Sequence, residues 1–166
     1  YTFVVLAAHT GMRRSETFNL KWADVNFKRA ELTVRQTKNN EYRIIPMNKP
    51  VRDTLKKHPR HITSELVLAH GDGTAYKGVD YAFHKALEKA GLPRIRIHDL
   101  RHSFASNLVT AGVPLNVVQE LLGHKDIHMT MVYAHLAPNA KRAAVDLLVE
   151  RPEEEEDTPT ENAASG

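Results

Sequence analysis

A chain of 166 residues with 23 Lys and Arg, 20 Asp and Glu and no cysteine has room for one ordinary core and excludes disulfide scaffolds, thiolate zinc sites and cysteine nucleophiles. Its formal charge of +3 conceals a division: residues 152–166 hold six acids and no Lys or Arg, which leaves 23 bases against 14 acids, a net of +9, in everything before them. That balance suits a polyanionic partner. No apolar run approaches the roughly 20 residues that span a bilayer, and no signal peptide is expected. The chain opens on Tyr1 without an initiator Met, as a piece of something longer would.

In chain order, the apolar run Phe3 to Ala7 predicts a helix that stops at Thr10-Gly11, where glycine suits a helix end. A second short helix is predicted from Arg14 to Leu20, entered through Ser15 with Glu16 close behind. Between 24 and 47 the pattern alternates: Val25 and Phe27, Leu32 and Val34, then Tyr42, Ile44 and Ile45-Pro46 predict a small antiparallel sheet. Lys38 to Glu41 is the polar turn joining its last two strands. Helical periodicity returns at about 49–58, 76–91, 98–111, 114–122, 126–134 and 139–150. Gly91, Gly112 and Gly123 close three of these helices, and Pro114 suits a first helical position. The fold class is therefore α+β, mainly α. The tail after Arg151 carries almost nothing apolar and is expected to be disordered.

Several residues have chemistry available. His98 and Arg101 lie three apart and project from one helix face, with His102 beside them, next to an apolar sector of Leu100, Phe104, Leu108 and Ala111. His124 follows Gly123 at a helix end, where unsatisfied carbonyls favour a donor or a cation. Arg13 stands at a helix junction with Glu16 three residues on to orient it. The pairs His98/His102 and His124/His128 have the i, i+4 spacing of helical zinc sites. Against a metallohydrolase, Asp99 stands where a glutamate base would be, and Arg101 would set a cation against the metal.

Taken together these motifs resemble the catalytic domain of the tyrosine recombinases, the phage integrase family. Four segments carry the likeness: Thr10-Gly11-Met12-Arg13-Arg14-Ser15-Glu16; Lys38 ahead of Arg43-Ile44-Ile45-Pro46; His98-Asp99-Leu100-Arg101-His102-Ser103-Phe104-Ala105; and Leu121-Leu122-Gly123-His124 with Tyr133 nine residues later. Thr130 and His135 also fit. The resemblance covers about residues 1–136. It departs from the family pattern at Thr37 and Asn39, which replace glycines that often flank the lysine, and at Arg14.

The resemblance implies a DNA breaking-rejoining fold, with Arg13 and Arg101 as active-site arginines, Lys38 as hairpin lysine, His98 and His124 as the two histidines, Tyr133 as nucleophile and Glu16 as a supporting acid. It further implies a 3′-phosphotyrosyl intermediate, a 5′-hydroxyl leaving group and no metal, ATP or other cofactor. Ionising a free phenol at pH 7 costs about 4 kcal/mol, so the tyrosine needs help. In the implied scheme the arginines hold the nonbridging oxygens, Lys38 is the candidate acid, His98 accepts the tyrosine proton and His124 donates to a phosphate oxygen. Implied partners are double-stranded DNA, accessory DNA-bending proteins and further copies of the chain, as a tetramer on paired sites.

The expected organisation is a catalytic domain over 1–151 and an acidic tail over 152–166, without the N-terminal clamp domain usual in the family. The expected location is cytoplasmic, at the nucleoid, in a bacterium or phage. The helix at 139–150 is the expected contact between copies, through Val145, Leu148 and Val149. Two rivals stay open. A type IB topoisomerase would share the chemistry. A noncatalytic helix-turn-helix module would use residues 98–122, although Asn116, Gln119 and Glu120 are the only long polar groups between Pro114 and Leu122.

Overall fold

The computed structural model describes residues 1–35, 41–138 and 145–146. Helix α1 (Thr2–Thr10) is central. Phe3, Leu6, Ala7 and Thr10 are buried, and α1 packs on helices α2 (Arg14–Phe18), α3 (Lys49–Lys57) and α5 (Ile97–Thr110). It ends on Gly11 at φ 63°, in the left-handed region. A Cβ there would overlap the Phe104 ring, so the glycine supplies both the turn and the close approach of α1 to α5.

Three strands follow, β1 (Val25–Asn26), β2 (Glu31–Arg35) and β3 (Tyr42–Pro46), antiparallel in the order β1-β2-β3. Leu32 pairs with Ile45 and Val34 with Arg43. The predicted sheet is present, but β3 faces the other way from its apolar alternation. Tyr42 and Ile44 are exposed, whereas Ile45 and the Arg43 side chain turn inward. A buried ion pair, described below, fixes that register. Phe27 falls outside β1.

Helix α4 (Asp80–Lys89) is shorter than the predicted 76–91, because Tyr76 follows the Ala69–Ala75 bridge with its ring tilted against His70. Helix α6 (Leu115–Leu122) takes Pro114 as its N-cap instead of its first residue. The predicted helix at 126–134 is broken into α7 (His128–Met131) and a 3-10 turn at Ala134–Leu136. Helix α2 starts at Arg14 as predicted, but is capped by Arg13 instead of entered through Ser15, and stops at Phe18, short of Leu20. The reason is local: the Glu16 carboxylate accepts from the Arg13 N–H at 2.7 Å, closing the first turn as a capping residue does. The hairpin turn, the tail and nearly all of the 139–150 helix lie outside the described residues.

Two apolar clusters result. The larger gathers α1, α2, the sheet and α3; the smaller holds Ala105, Val109, Val118, Leu122 and Tyr133 between α5 and α6. On α5 the buried stripe is Ile97, Leu100, Arg101, Ala105 and Val109. Arg101 thus sits in the core and not on a basic edge, while Ala111 is exposed.

Candidate active site

Three arginines converge on the C-terminal end of α6, where the last carbonyls of a helix have no partner within it and carry partial negative charge. Arg43 Nε donates to Leu121 O at 2.9 Å, Arg101 Nη2 to Leu122 O at 2.8 Å, and Arg13 Nη2 to Gly123 O at 3.2 Å. Arg101 reaches across to Gly11 O with Nη1 as well. The cations expected at this helix end are therefore arginines. The His124 side chain does not cap it; its backbone N–H does, bonding Gln119 O at 3.1 Å.

Glu16 ties the group together. It receives Arg43 through Nη1 at 3.0 Å and Nη2 at 2.7 Å, and Arg13 through Nη1 at 2.9 Å. Burial alone would push the Glu16 carboxyl up; its bonds to Arg43 and Arg13 outweigh that and hold it below the usual range. Arg101, 4% exposed, is lowered to about 10 by burial and by the neighbouring Arg13. It remains charged at neutral pH. Arg13 is the half-exposed member of the set, so it is the guanidinium most open to a ligand.

Tyr133 is 7% exposed, and its hydroxyl lies 2.6 Å from His102 Nδ1. Burial raises its pKa, with Arg101 opposing part of the rise. The His98 ring meets the His102 ring edge-on at 4.5 Å. His98 is held below its ordinary value by partial burial and by His102 and Arg101. His124 bonds the buried Thr130 hydroxyl through Nδ1 at 2.9 Å and is lowered to about 4 by burial and by Arg101, Arg13 and Arg43.

Of the residues singled out in the sequence, Arg13, Glu16, Arg101, His124 and Tyr133 meet around the α6 end, with His98 one helical turn from His102. Lys38 lies outside the described residues. Two participants carry more than the sequence suggested. Arg43, there a cation bordering a hairpin, is the buried partner of Glu16; its place opposite Val34 on the inward face was the available signal. His102, there a bystander, holds the tyrosine hydroxyl.

The paired histidines make no metal cage: His128 bonds Asp126 at 2.8 Å while His124 bonds Thr130. Among the described residues no group of three or more His, Cys, Asp or Glu converges. A large groove, about 1130 Å³, opens beside Arg13 and Glu16 and runs past Lys21, Arg35, Arg60 and Lys125. Tyr133 does not line it. The groove's cations are partly balanced by Asp24, Glu41 and Glu65.

Known structures share this architecture. A XerA recombinase matches with a TM-score of 0.75 at 25% identity, over 91% of this chain and 58% of that one. The catalytic domain of bacteriophage HP1 integrase matches at 0.66 and 30% identity, over 87% and 79%. The Tn1549 transposon integrase, in complex with a circular intermediate DNA, matches at 0.71 and 26%, over 89% and 58%. The fold is thus that of a tyrosine recombinase catalytic domain. More particularly, the phage integrase family model matches residues 1–140, and the chain belongs to that family. The integrase of Salmonella phage P22 is 37% identical over 150 residues, and the tyrosine recombinase XerA of Pyrococcus furiosus 33%. These alignments take in 82% and 86% of this chain, which spans only 39% and 52% of those relatives.

Proposed function

We propose that residues 1–151 are the catalytic domain of a site-specific DNA recombinase that cuts and rejoins strands by transesterification on Tyr133. The observation that carries this reading is the arginine pair at the α6 end, Arg13 on Gly123 O and Arg101 on Leu122 O, with the charge of Arg101 reaching the Tyr133 phenol. A phenol with a raised pKa is a poor nucleophile until its proton leaves and a phosphodiester is held in line with it. Arg13 is half-exposed and lines the groove while Glu16 and the Gly123 carbonyl hold its guanidinium. Arg101, fixed by two carbonyls, supplies charge without having to reorganise. Together they stabilise the pentacoordinate transition state, in which the tyrosine oxygen bonds to phosphorus and the bridging oxygen departs.

Lys38 is the proposed acid for that departing oxygen. Neutral His124, with Nδ1 accepting from Thr130, presents Nε2–H to a phosphate oxygen. Glu16 holds Arg13 in place. His98 is the acceptor of the tyrosine proton that the family resemblance implies. Such an ester exchange conserves bond energy and calls for neither metal nor ATP. The exposed cations Lys28, Arg29, Lys56 and Lys57 support duplex DNA as partner, as does the DNA complex of the Tn1549 integrase. Assembly on paired sites as a tetramer, with contacts from 139–150 and help from DNA-bending proteins, belongs to the same proposal.

The test is covalent capture. A nicked duplex should form a phosphotyrosyl complex with this chain in the presence of chelator, and Tyr133→Phe should form none. A complex that survives Tyr133→Phe removes the nucleophile assignment, and loss of cleavage with chelator removes the metal-free one.

A further inference from the structure

We propose that His102 is the general base of strand cleavage: its Nδ1 takes the phenolic proton of Tyr133 as the tyrosine oxygen attacks phosphorus, and returns it on rejoining. This rests on the strand-transfer reading above and reassigns the proton from His98. A base must lie within hydrogen-bonding reach of the proton it removes, about 2.6–3.2 Å. His102 Nδ1 is 2.6 Å from the hydroxyl. His98 has no hydrogen bond among the described residues and touches the pair only through the His102 ring.

The placement follows from the helix. Arg101 is anchored in the core stripe of α5, so the next residue, 100° further round, faces the segment carrying Tyr133. That segment is held in turn, since the Tyr133 N–H bonds Thr130 O at 3.0 Å and Thr130 is fully buried. With Tyr133 only 7% exposed, bulk water is a poor competitor for its proton. Arg101 Nη1 and Nη2 are engaged by carbonyls, so that guanidinium favours the phenolate by charge and not by proton transfer.

The step balances without a co-reactant. The Tyr133 O–H bond breaks and an Nδ1–H bond forms on a neutral imidazole. The phenolic oxygen bonds to phosphorus, the bond from phosphorus to the bridging oxygen breaks, and that oxygen takes its proton from the separate acid, Lys38. The imidazolium left behind is offset by the substrate phosphate. The titratable or charged groups around His102 are His98 and Asp99 on its own helix, Tyr133 on the α7 segment and His124 beyond α6.

Two measurements test this. In the free chain, ¹⁵N shifts of the His102 ring should report the Nε2–H tautomer with Nδ1 as acceptor, and Tyr133→Phe should remove that hydrogen-bond signature. For cleavage, the probe is a nicked duplex recovered from a randomised pool by covalent capture on the wild-type chain. His102→Asn keeps an acceptor near the Nδ1 position but no base. It should cleave about 100-fold more slowly and lose the acidic limb of the pH–rate profile, which His98→Gln should keep. A 5′-thio leaving group needs no acid, so it should rescue Lys38→Ala but not His102→Asn. An Nδ1–H tautomer, a near-wild-type rate, a retained acidic limb or thio rescue of His102→Asn would each overturn the assignment alone. A wild-type chain that captures no duplex would overturn the strand-transfer reading and the assignment with it.

Discussion

The histidines of this site are tuned by position. His124, about 4 in the fold against 6.5 when unperturbed, is neutral across the physiological range. It can therefore act as a polar donor but not as an acid. The depressed value also has a stability consequence. Below pH 6.5 the unfolded chain binds a proton that the folded chain refuses until about 4, so the stability His124 confers is present above 6.5 and is lost as pH falls toward 4. His98, also lowered, adds to the same trend. The expected result is a falling melting temperature between pH 7 and 5, before most carboxylates titrate, and a shallower fall in His124→Asn. An NMR midpoint for His124 near 6.5 would contradict this. At Arg101 the shape of the head group matters more than its charge. Arg101→Lys keeps a cation but has no planar fork to reach both Gly11 O and Leu122 O. Cleavage should drop at least 100-fold, of the order seen when one transition-state donor is removed, while duplex binding changes little.

At the level of elements, the site is the C-terminus of α6 gripped by three others: Arg13 from the head of α2, Arg43 from β3 and Arg101 from α5. Glu16 links the first two, with 10% of its side chain exposed against 9% for Arg43. Glu16→Ala would leave the Arg43 guanidinium buried without its carboxylate, a loss of about 3–5 kcal/mol readable as a lower urea midpoint. Glu16→Gln, which retains the acceptor for the Arg13 N–H, should lose less. Because the Glu16 pKa is lowered, its contribution holds above pH 4.5 and fades as pH falls further, so the mutant and wild-type curves should converge in acid. Gly123 tests the other side of the grip. At φ 66°, with an added Cβ 2.8 Å from Arg43 Nη1, Gly123→Ala should cost about 1–2 kcal/mol for the backbone alone and also push Arg43 away from Glu16.

This arrangement explains what could be foreseen from the residues. Glycine stops and helical periodicity placed α1, α5 and α6 to within a residue or so, because those signals are local. The Glu16–Arg13 contact was visible for the same reason, at a spacing of three. Arg43 was not, since its inward orientation depends on a carboxylate 27 positions away outweighing an apolar alternation that favoured Tyr42 and Ile44. His102 was passed over because its partner lies 31 residues downstream, brought to it by the break between α7 and the turn after it.

For the molecule as a whole, the charge division visible in the composition makes a quantitative statement about binding. A +9 body that neutralises DNA phosphates releases counterions, and each neutralised phosphate steepens the fall of log K with log salt by about 0.9. The exposed cations of the body are spread over β1–β2, α3 and the segment ahead of α5, whereas Arg43 and Arg101 are buried. Those two should contribute to cleavage and almost nothing to the slope. The proposal for the six acids of 152–166 is that they compete, covalently attached, for the same basic surface. Deleting 152–166 should therefore tighten duplex binding several-fold at about 50 mM salt. The effect should shrink toward nothing at about 0.5 M, where the screening length is only a few ångströms. A titration of both proteins against one duplex across that range decides it: equal affinities at low salt would mean that the acids never meet the basic face, and a gain that persists at high salt would mean that the tail acts by something other than charge.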